Sequence, residues 1–164
     1  MLDRAILTLT LLTTIGSGLV AGVFLAFSSV IMRALARLPA PQGIAAMQSI
    51  NGTVLTSSFL AALFLTAVGA TVIGIAALAS FDRPGSLFVV AGSAMLLVGV
   101  MVVTGVFNVP RNVALAAVDP ISTEGAATWG QYLSTWTAWN HVRTAASIGS
   151  TAAFVIALVL RRAA

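Results

Sequence analysis

Residues 54–79 read VLTSSFLAALFLTAVGATVIGIAALA, a run with no charged side chain and no polar groups beyond Ser, Thr and Gly. A helix that crosses the hydrocarbon core of a bilayer needs roughly 20 apolar residues, within a range of about 17–25. The run is long enough for one crossing and too short for two. Working outward, the charges draw the rest of the map. No charged residue lies between Arg4 and Arg33, between Arg37 and Asp82, between Arg83 and Arg111, or between Arg143 and Arg161. Each interval holds one span. We place them near Ile6–Met32, Val54–Ala79, Ser86–Val109 and Arg143–Leu160, the last extendable backwards into the Trp-rich segment before it. The expected fold is all-α: an integral membrane four-helix bundle that uses residues 1–164 as one domain.

The composition agrees. Hydrophobic residues make up 59% of the 164 and charged residues 7%, whereas soluble domains carry about a quarter charged. Eight Arg against Asp3, Asp82, Asp119 and Glu124 give a formal charge of +4. These Arg sit at the ends of apolar runs, where they anchor helices at the headgroups. No basic tract is dense enough to follow phosphates, so nucleic acid is not an expected partner. The absence of Cys removes disulfides, thiolate metal sites and cysteine nucleophiles. Arg4, Arg83, Arg161 and Arg162 share one membrane face and Arg33, Arg37, Arg111 and Arg143 the other, a tie under the positive-inside rule. The solvated Arg162 end favours cytoplasmic termini.

Arg4 before the first span and Ala34-Leu35-Ala36 after it resemble a signal peptide. A secretory apolar region is about 7–15 residues and this one is far longer, so an uncleaved first helix is expected. Small residues recur at close-packing intervals: Gly18, Gly22 and Ala26, then Gly92 and Gly99, then Ala145, Gly149 and Ala153. Such rows let helix backbones approach in lipid, as a seam within the bundle or as a homo-oligomer face.

The connections differ. Asp82-Arg83-Pro84-Gly85 makes a short polar turn. The first connection opens with Pro39-Ala40-Pro41 and permits a short helix through Met47, Gln48 and Asn51. The third, Pro110 to Val142, holds Tyr132, all three Trp and the one His. Loops beyond about 15 residues are usually functional or structured in their own right. The first and third connections leave the bundle on the same face, so the distinctive residues gather at one mouth.

Three segments carry that mouth's chemistry. Asn108 and Asn112 flank Pro110 four residues apart, stacking on one face if the helix persists. Proline removes a backbone donor, and the carbonyls it frees need partners that Asn can supply; the other role is an amide pair lining a cavity. Trp129, Tyr132, Trp136, Trp139 or Asn140, and Arg143 recur at helical spacing as one stripe. A membrane-interface belt explains Trp129, whereas Trp136 and Trp139 fit equally an aromatic wall for a flat ring. His141 has the one side chain whose ordinary pKa lies near neutrality, a structural hydrogen-bonding group or a base. Alone it does not make a zinc site, which needs three or four ligands, so no metal is expected. Arg143 is a headgroup anchor or a cation aimed into the site. Gln48 and Asn51 share a helical face and either satisfy backbone groups or line the mouth.

Phe27-Ser28-Ser29-Val30-Ile31-Met32, Met47-Gln48-Ser49-Ile50-Asn51, Phe107-Asn108-Val109-Pro110-Arg111-Asn112 and Trp136-Thr137-Ala138-Trp139-Asn140-His141-Val142-Arg143 together resemble the anthrone oxygenase family, over almost the whole chain. The activity attached to that family belongs to polyketide pathways, where members oxidise an anthrone to an anthraquinone with molecular oxygen. The resemblance implies a lipophilic aromatic substrate drawn from membrane lipid, oxygen as co-substrate and no bound cofactor. Transferred to these residues, it implies catalytic roles for His141 as base and for Arg143 with Asn108 as an oxyanion site. Asn112, Trp136, Trp139, Asn140, Tyr132, Gln48 and Asn51 would contact the substrate. The implied location is a bacterial cytoplasmic membrane. The competing expectation is a non-catalytic lipid- or lipophile-binding membrane subunit. A transporter ranks below both, because the middles of the spans offer only Ser, Thr and Gly among polar or helix-loosening residues and the ionisable groups keep to the ends.

Overall fold

A computed structural model describes residues 2–163, and all its regular structure is helical. Five helices follow in chain order. Helix α1 (Leu2–Ala26) runs on through a π-helical stretch, Phe27–Ile31, into a last turn, Met32–Leu35. Helix α2 is Ala40–Val54 and α3 is Ser58–Leu78. Helix α4 (Ser86–Leu96) continues through two π-helical stretches, Leu97–Val102 and Thr104–Asn108, to Val109–Ala116. Helix α5 is Thr123–Ala163, 41 residues without a break. Four segments are long and apolar enough to cross a membrane: Arg4–Leu35, Ser58–Leu78, Ser86–Ala116 and Thr123–Arg161.

Local chemistry sets the ends. Pro39 caps α2 and Pro41 sits in its first turn, where a missing N–H costs nothing and the fixed φ suits a helix. Ser57 caps α3 by accepting from the Leu60 N–H at 3.4 Å, and Ser122 does the same for α5 from the Gly125 N–H at 2.9 Å. Gly85 turns the chain into α4 at φ 81°, a left-handed conformation that favours glycine.

The four long helices form a ring in which α1 packs on α3 and α5, and α4 packs on the same two. Small residues make the close approaches. A Cβ added to Gly92 would meet the Phe154 ring at 2.7 Å, and one on Gly149 would meet the Met95 sulfur at 2.9 Å. Gly18 lies in ordinary contact range of Thr151, while Gly22 has open space beside it. Outward-facing Leu19, Leu65, Val68 and Ile75 are exposed, as lipid contact requires. Helix α2 does not cross. It lies over one end of the ring, touching α5, the last turns of α4 and the end of α1. Beneath it Met32, Ile44, Met47, Leu115, Tyr132 and Trp136 form a buried cluster.

Two expectations need correction. The long third connection is nearly all helix, since α4 persists to Ala116 and α5 begins at Thr123. Pro110 does not end α4, because the π-helical stretch before it already shifts the backbone hydrogen-bonding register. The Arg111 guanidinium donates to the Phe107 carbonyl, Nη1 to O 2.6 Å, and Asn108 donates across to the Trp136 carbonyl of α5. Secondly, the fourth span does not begin at Arg143. That residue lies half-way along α5, so an ionisable group sits inside a helix and not at its end.

Candidate functional site

The site is built at the end of the ring covered by α2. A cavity of about 490 Å³ lies between α1, the α2–α3 corner, the last turns of α4 and the middle of α5. Its wall is chiefly apolar, with Phe24, Phe27, Met47, Phe59 and Trp136 among the larger groups. The polar side chains that reach it are Gln48, Asn51, Thr104, Asn112 and Arg143. Two of the three π-helical stretches border it, supplying Phe27 and Thr104. Insertions of this kind re-aim side chains within a helix and recur at functional sites.

Arg143 dominates the electrostatics. It is 5% exposed. Its guanidinium donates to Asn140 Oδ1 at 2.7 Å and to Thr104 Oγ1 at 3.3 Å. It also lies over two aromatic faces, 4.3 Å from the Phe24 centroid and 5.1 Å from that of Trp136. Every one of these partners is neutral, and Nε has none. A buried cation is ordinarily matched by an anion, whereas the partners of this one among the described residues are dipoles and ring quadrupoles.

Asn140 holds the guanidinium in place. Fully buried, it donates through Nδ2 to the Phe24 carbonyl at 2.9 Å and to Ser28 Oγ at 2.7 Å. Ser28 in turn meets Thr144 Oγ1 at 3.0 Å. The network ties α5 to the π-helical end of α1. Around it Trp129, Tyr132 and Trp136 stack in series at 5.7 and 5.6 Å, both pairs inclined by 16°. The Tyr132 hydroxyl donates to Asn112 Oδ1 at 2.8 Å, bridging α5 and α4. Asn108 is buried and donates to the Trp136 carbonyl at 3.2 Å, leaving its Oδ1 without a partner. Gln48 binds the Leu115 and Val118 carbonyls at 2.9 and 3.1 Å, closing the end of α4 from α2.

The predicted site residues therefore divide. Arg143, Trp136, Asn112, Gln48 and Asn51 line the cavity; Asn140, Tyr132 and Asn108 support the wall from behind. Trp139 does not line it. It stacks on Phe107 at 3.6 Å, half-buried between α4 and α5. His141 is not brought in either: it is exposed, one position from Asn140 on a helix whose buried face holds Asn140, Arg143 and Thr144. A substituent of α5 at 141 points some 100° away from one at 140, so a base role at the cavity is not open to this imidazole within one chain. Phe24 and Thr144 were not singled out from sequence. The Phe24, Phe27, Ser28 spacing on α1 was the available signal. Among the described residues, no three His, Asp or Glu cluster to hold a metal.

The family model described as anthrone oxygenase matches residues 45–153, about two-thirds of the chain. The chain belongs to the anthrone oxygenase family. Comparison with curated proteins and with solved structures gives no match. The anthrone oxygenase match begins within α2 and ends within α5, so it contains Arg143, Asn140, Trp136 and Asn112. The Phe27–Met32 stretch that contributed to the resemblance lies outside it, although α1 supplies Phe24, Phe27 and Ser28 to the cavity and its supporting network.

Proposed function

We propose that this chain is an oxygen-dependent oxidoreductase acting on a flat, phenolic, anthrone-like lipophile, as a multi-pass protein of a bacterial cytoplasmic membrane. The observation that carries the reading is Arg143, a buried cation with neutral partners beside an apolar, aromatic cavity. Such a site is complementary to a lipophile that becomes an anion during reaction. An anthrone is one, because loss of a methylene proton spreads charge onto its carbonyl oxygen. The ring would lie against Trp136 and Phe27 with that oxygen towards Arg143, which stabilises the enolate as it forms. The methylene proton passes to water at the polar side of the cavity, beside Asn51 and Asn112.

The carbanion then reduces oxygen directly. Carbon–oxygen bond formation gives a hydroperoxide, which loses water to leave the quinone. One oxygen molecule is consumed and one water formed per anthrone, and all electrons come from the substrate. Reaction by this route calls on no bound cofactor.

The test is to supply anthrone to the purified protein in lipid nanodiscs under oxygen, following quinone absorbance and oxygen uptake together. One-for-one uptake above the rate in empty nanodiscs is expected, and metal analysis of the same sample checks the cofactor expectation. A second reading, a lipophile-binding subunit, draws on the cavity wall, which contains no carboxylate or imidazole among the described residues to take a proton. Anthrone binding without quinone formation would select it.

A further inference from the structure

The cavity is not closed on all sides. Helices α3 and α4 pack together along Ser86–Val102, but beyond Val102 the last turns of α4 pack on α5 and α2 instead. The two walls that this leaves facing each other are residues 52–60 on one side and 109–116 on the other, both of which line the cavity. Their outer residues are apolar and open: Leu55 is 69% exposed and Val113 64%, with Val109 also exposed. Gly52, at the start of the first wall, has nothing within 4 Å of where a Cβ would stand.

The depth of this gap follows from helix lengths. Helix α3 has 21 residues, about 31 Å at 1.5 Å per residue, which only just covers a hydrocarbon core of about 30 Å. Its first turn therefore marks one leaflet's interface. Phe59 in that turn meets Phe24 edge-on at 5.9 Å, and Arg143 lies over Phe24. The gap and the cation stand at the same level, one at the lipid surface and the other at the inner end of the cavity.

We infer that the gap is a lateral slot through which a flat phenolic lipophile passes from the acyl region of that leaflet into the cavity, apolar ring past Leu55 and Val113, oxygen towards Arg143. The occupant is the ligand proposed above, so this step rests on that reading for its chemistry; the slot itself is tested without turnover. Selection of the ligand then begins with partition into the membrane. The guanidinium, whose partners are neutral, favours a ring that carries an acidic oxygen.

The probe is phospholipid brominated at shallow acyl positions, which quenches tryptophan at near contact. Trp136 is buried, so a closed bundle would shield it. With Trp129 and Trp139 changed to Phe, Trp136 should still be quenched in brominated vesicles. Gly52→Phe, which fills the slot and removes a helix-weakening Gly from α2, should relieve that quenching. Gly130→Phe, an equally uncrowded glycine on exposed α5 surface, should not. If the double Phe background fails to fold, the same comparison is made in the native background by subtracting the Trp136→Phe signal. Unquenched Trp136, or equal quenching with and without Gly52→Phe, overturns the slot.

The second arm follows anthrone turnover from vesicles. Gly52→Phe should lower kcat/KM about tenfold or more, within the one to three decades over which association rates vary among variants of one site, while Gly130→Phe, outside the cavity, leaves it unchanged. An unaltered kcat/KM overturns the proposal. Slot-dependent quenching without any turnover by the native protein supports the slot and removes the oxidoreductase reading.

Discussion

Replacing Arg143 by Met separates a catalytic cation from an architectural one, because the two roles predict opposite patterns. Met keeps most of the length and apolar volume but abolishes the charge. On the stability side, two hydrogen bonds from a charged donor are lost, to Asn140 and Thr104, at about 1.5–3 kcal/mol each. Two cation–π contacts go with them, over Phe24 and Trp136, at about 0.5–2 kcal/mol each. Against this, a cation with no anionic partner no longer has to be stripped of water, a penalty of several kcal/mol. The losses come to about 4–10 kcal/mol and the relief returns several of these, so the folded state should be destabilised by no more than a few kcal/mol. The rate has no such compensation. Removing one donor to a developing oxyanion slows the chemical step by about 10²–10³. The assay pairs a thermal melt in detergent with anthrone oxidation per folded molecule in nanodiscs. A variant that melts near the native temperature and oxidises anthrone at the native rate would refute the oxyanion role. A variant that unfolds, with undiminished rate in the surviving folded fraction, would make Arg143 architectural.

Other substitutions probe the surroundings. His141→Ala, at an exposed position, should leave stability within about 0.5 kcal/mol and the oxidation rate within about twofold, read from the same melt and assay; a large loss of rate would return the imidazole to the mechanism. Asn140→Ala removes three hydrogen bonds among the Phe24 carbonyl, Ser28 and Arg143 and leaves a buried acceptor and cation short of partners, at about 1–3 kcal/mol for each orphan, seen as a lower melting temperature with a lower rate. Gly92→Leu drives a side chain into the Phe154 ring and should cost about 1–3 kcal/mol or more by overpacking, with no direct effect on the site at the far end of the bundle.

The spans were legible because charge is so costly in hydrocarbon that its absence alone marks their limits. The bounds Arg37 and Asp82 enclosed α3, and Asp82-Arg83-Pro84-Gly85 gave the turn before α4. The helical stripe from Trp129 to Arg143 was legible as well, through its three-and-four spacing. What hid was the continuity of α5 and α4. Polar Gln131, Ser134, Thr135 and Asn140 made the aromatic segment look like a connection, although the first three lie on the exposed face of the helix and Asn140 is satisfied inside the buried network. Pro110 looked like a terminus because the π-helical register before it cannot be read from residue identities. The orientation of His141 turned on a rotation of one residue. Spacing places 140, 141 and 143 together in sequence, but only the packing of α1 decides that Asn140 and Arg143 face inward. Phe24 went unremarked because its helical spacing to Phe27 and Ser28 is that of any buried face in an apolar span, and the cation over its ring is what sets it apart.

The unbroken α5 has a consequence for where this protein works well. Its 41 residues extend about 60 Å, twice the thickness of a hydrocarbon core. A rod of that length can meet a thicker or thinner bilayer by changing its tilt, and through Asn140 and Ser28 it carries the end of α1 with it. Such a change moves Arg143 and Trp136, together with Phe24, against the α2–α3 corner, which rides on other helices. The acyl-chain length of the host membrane thereby becomes a variable of the site's geometry, as much as any side chain in it.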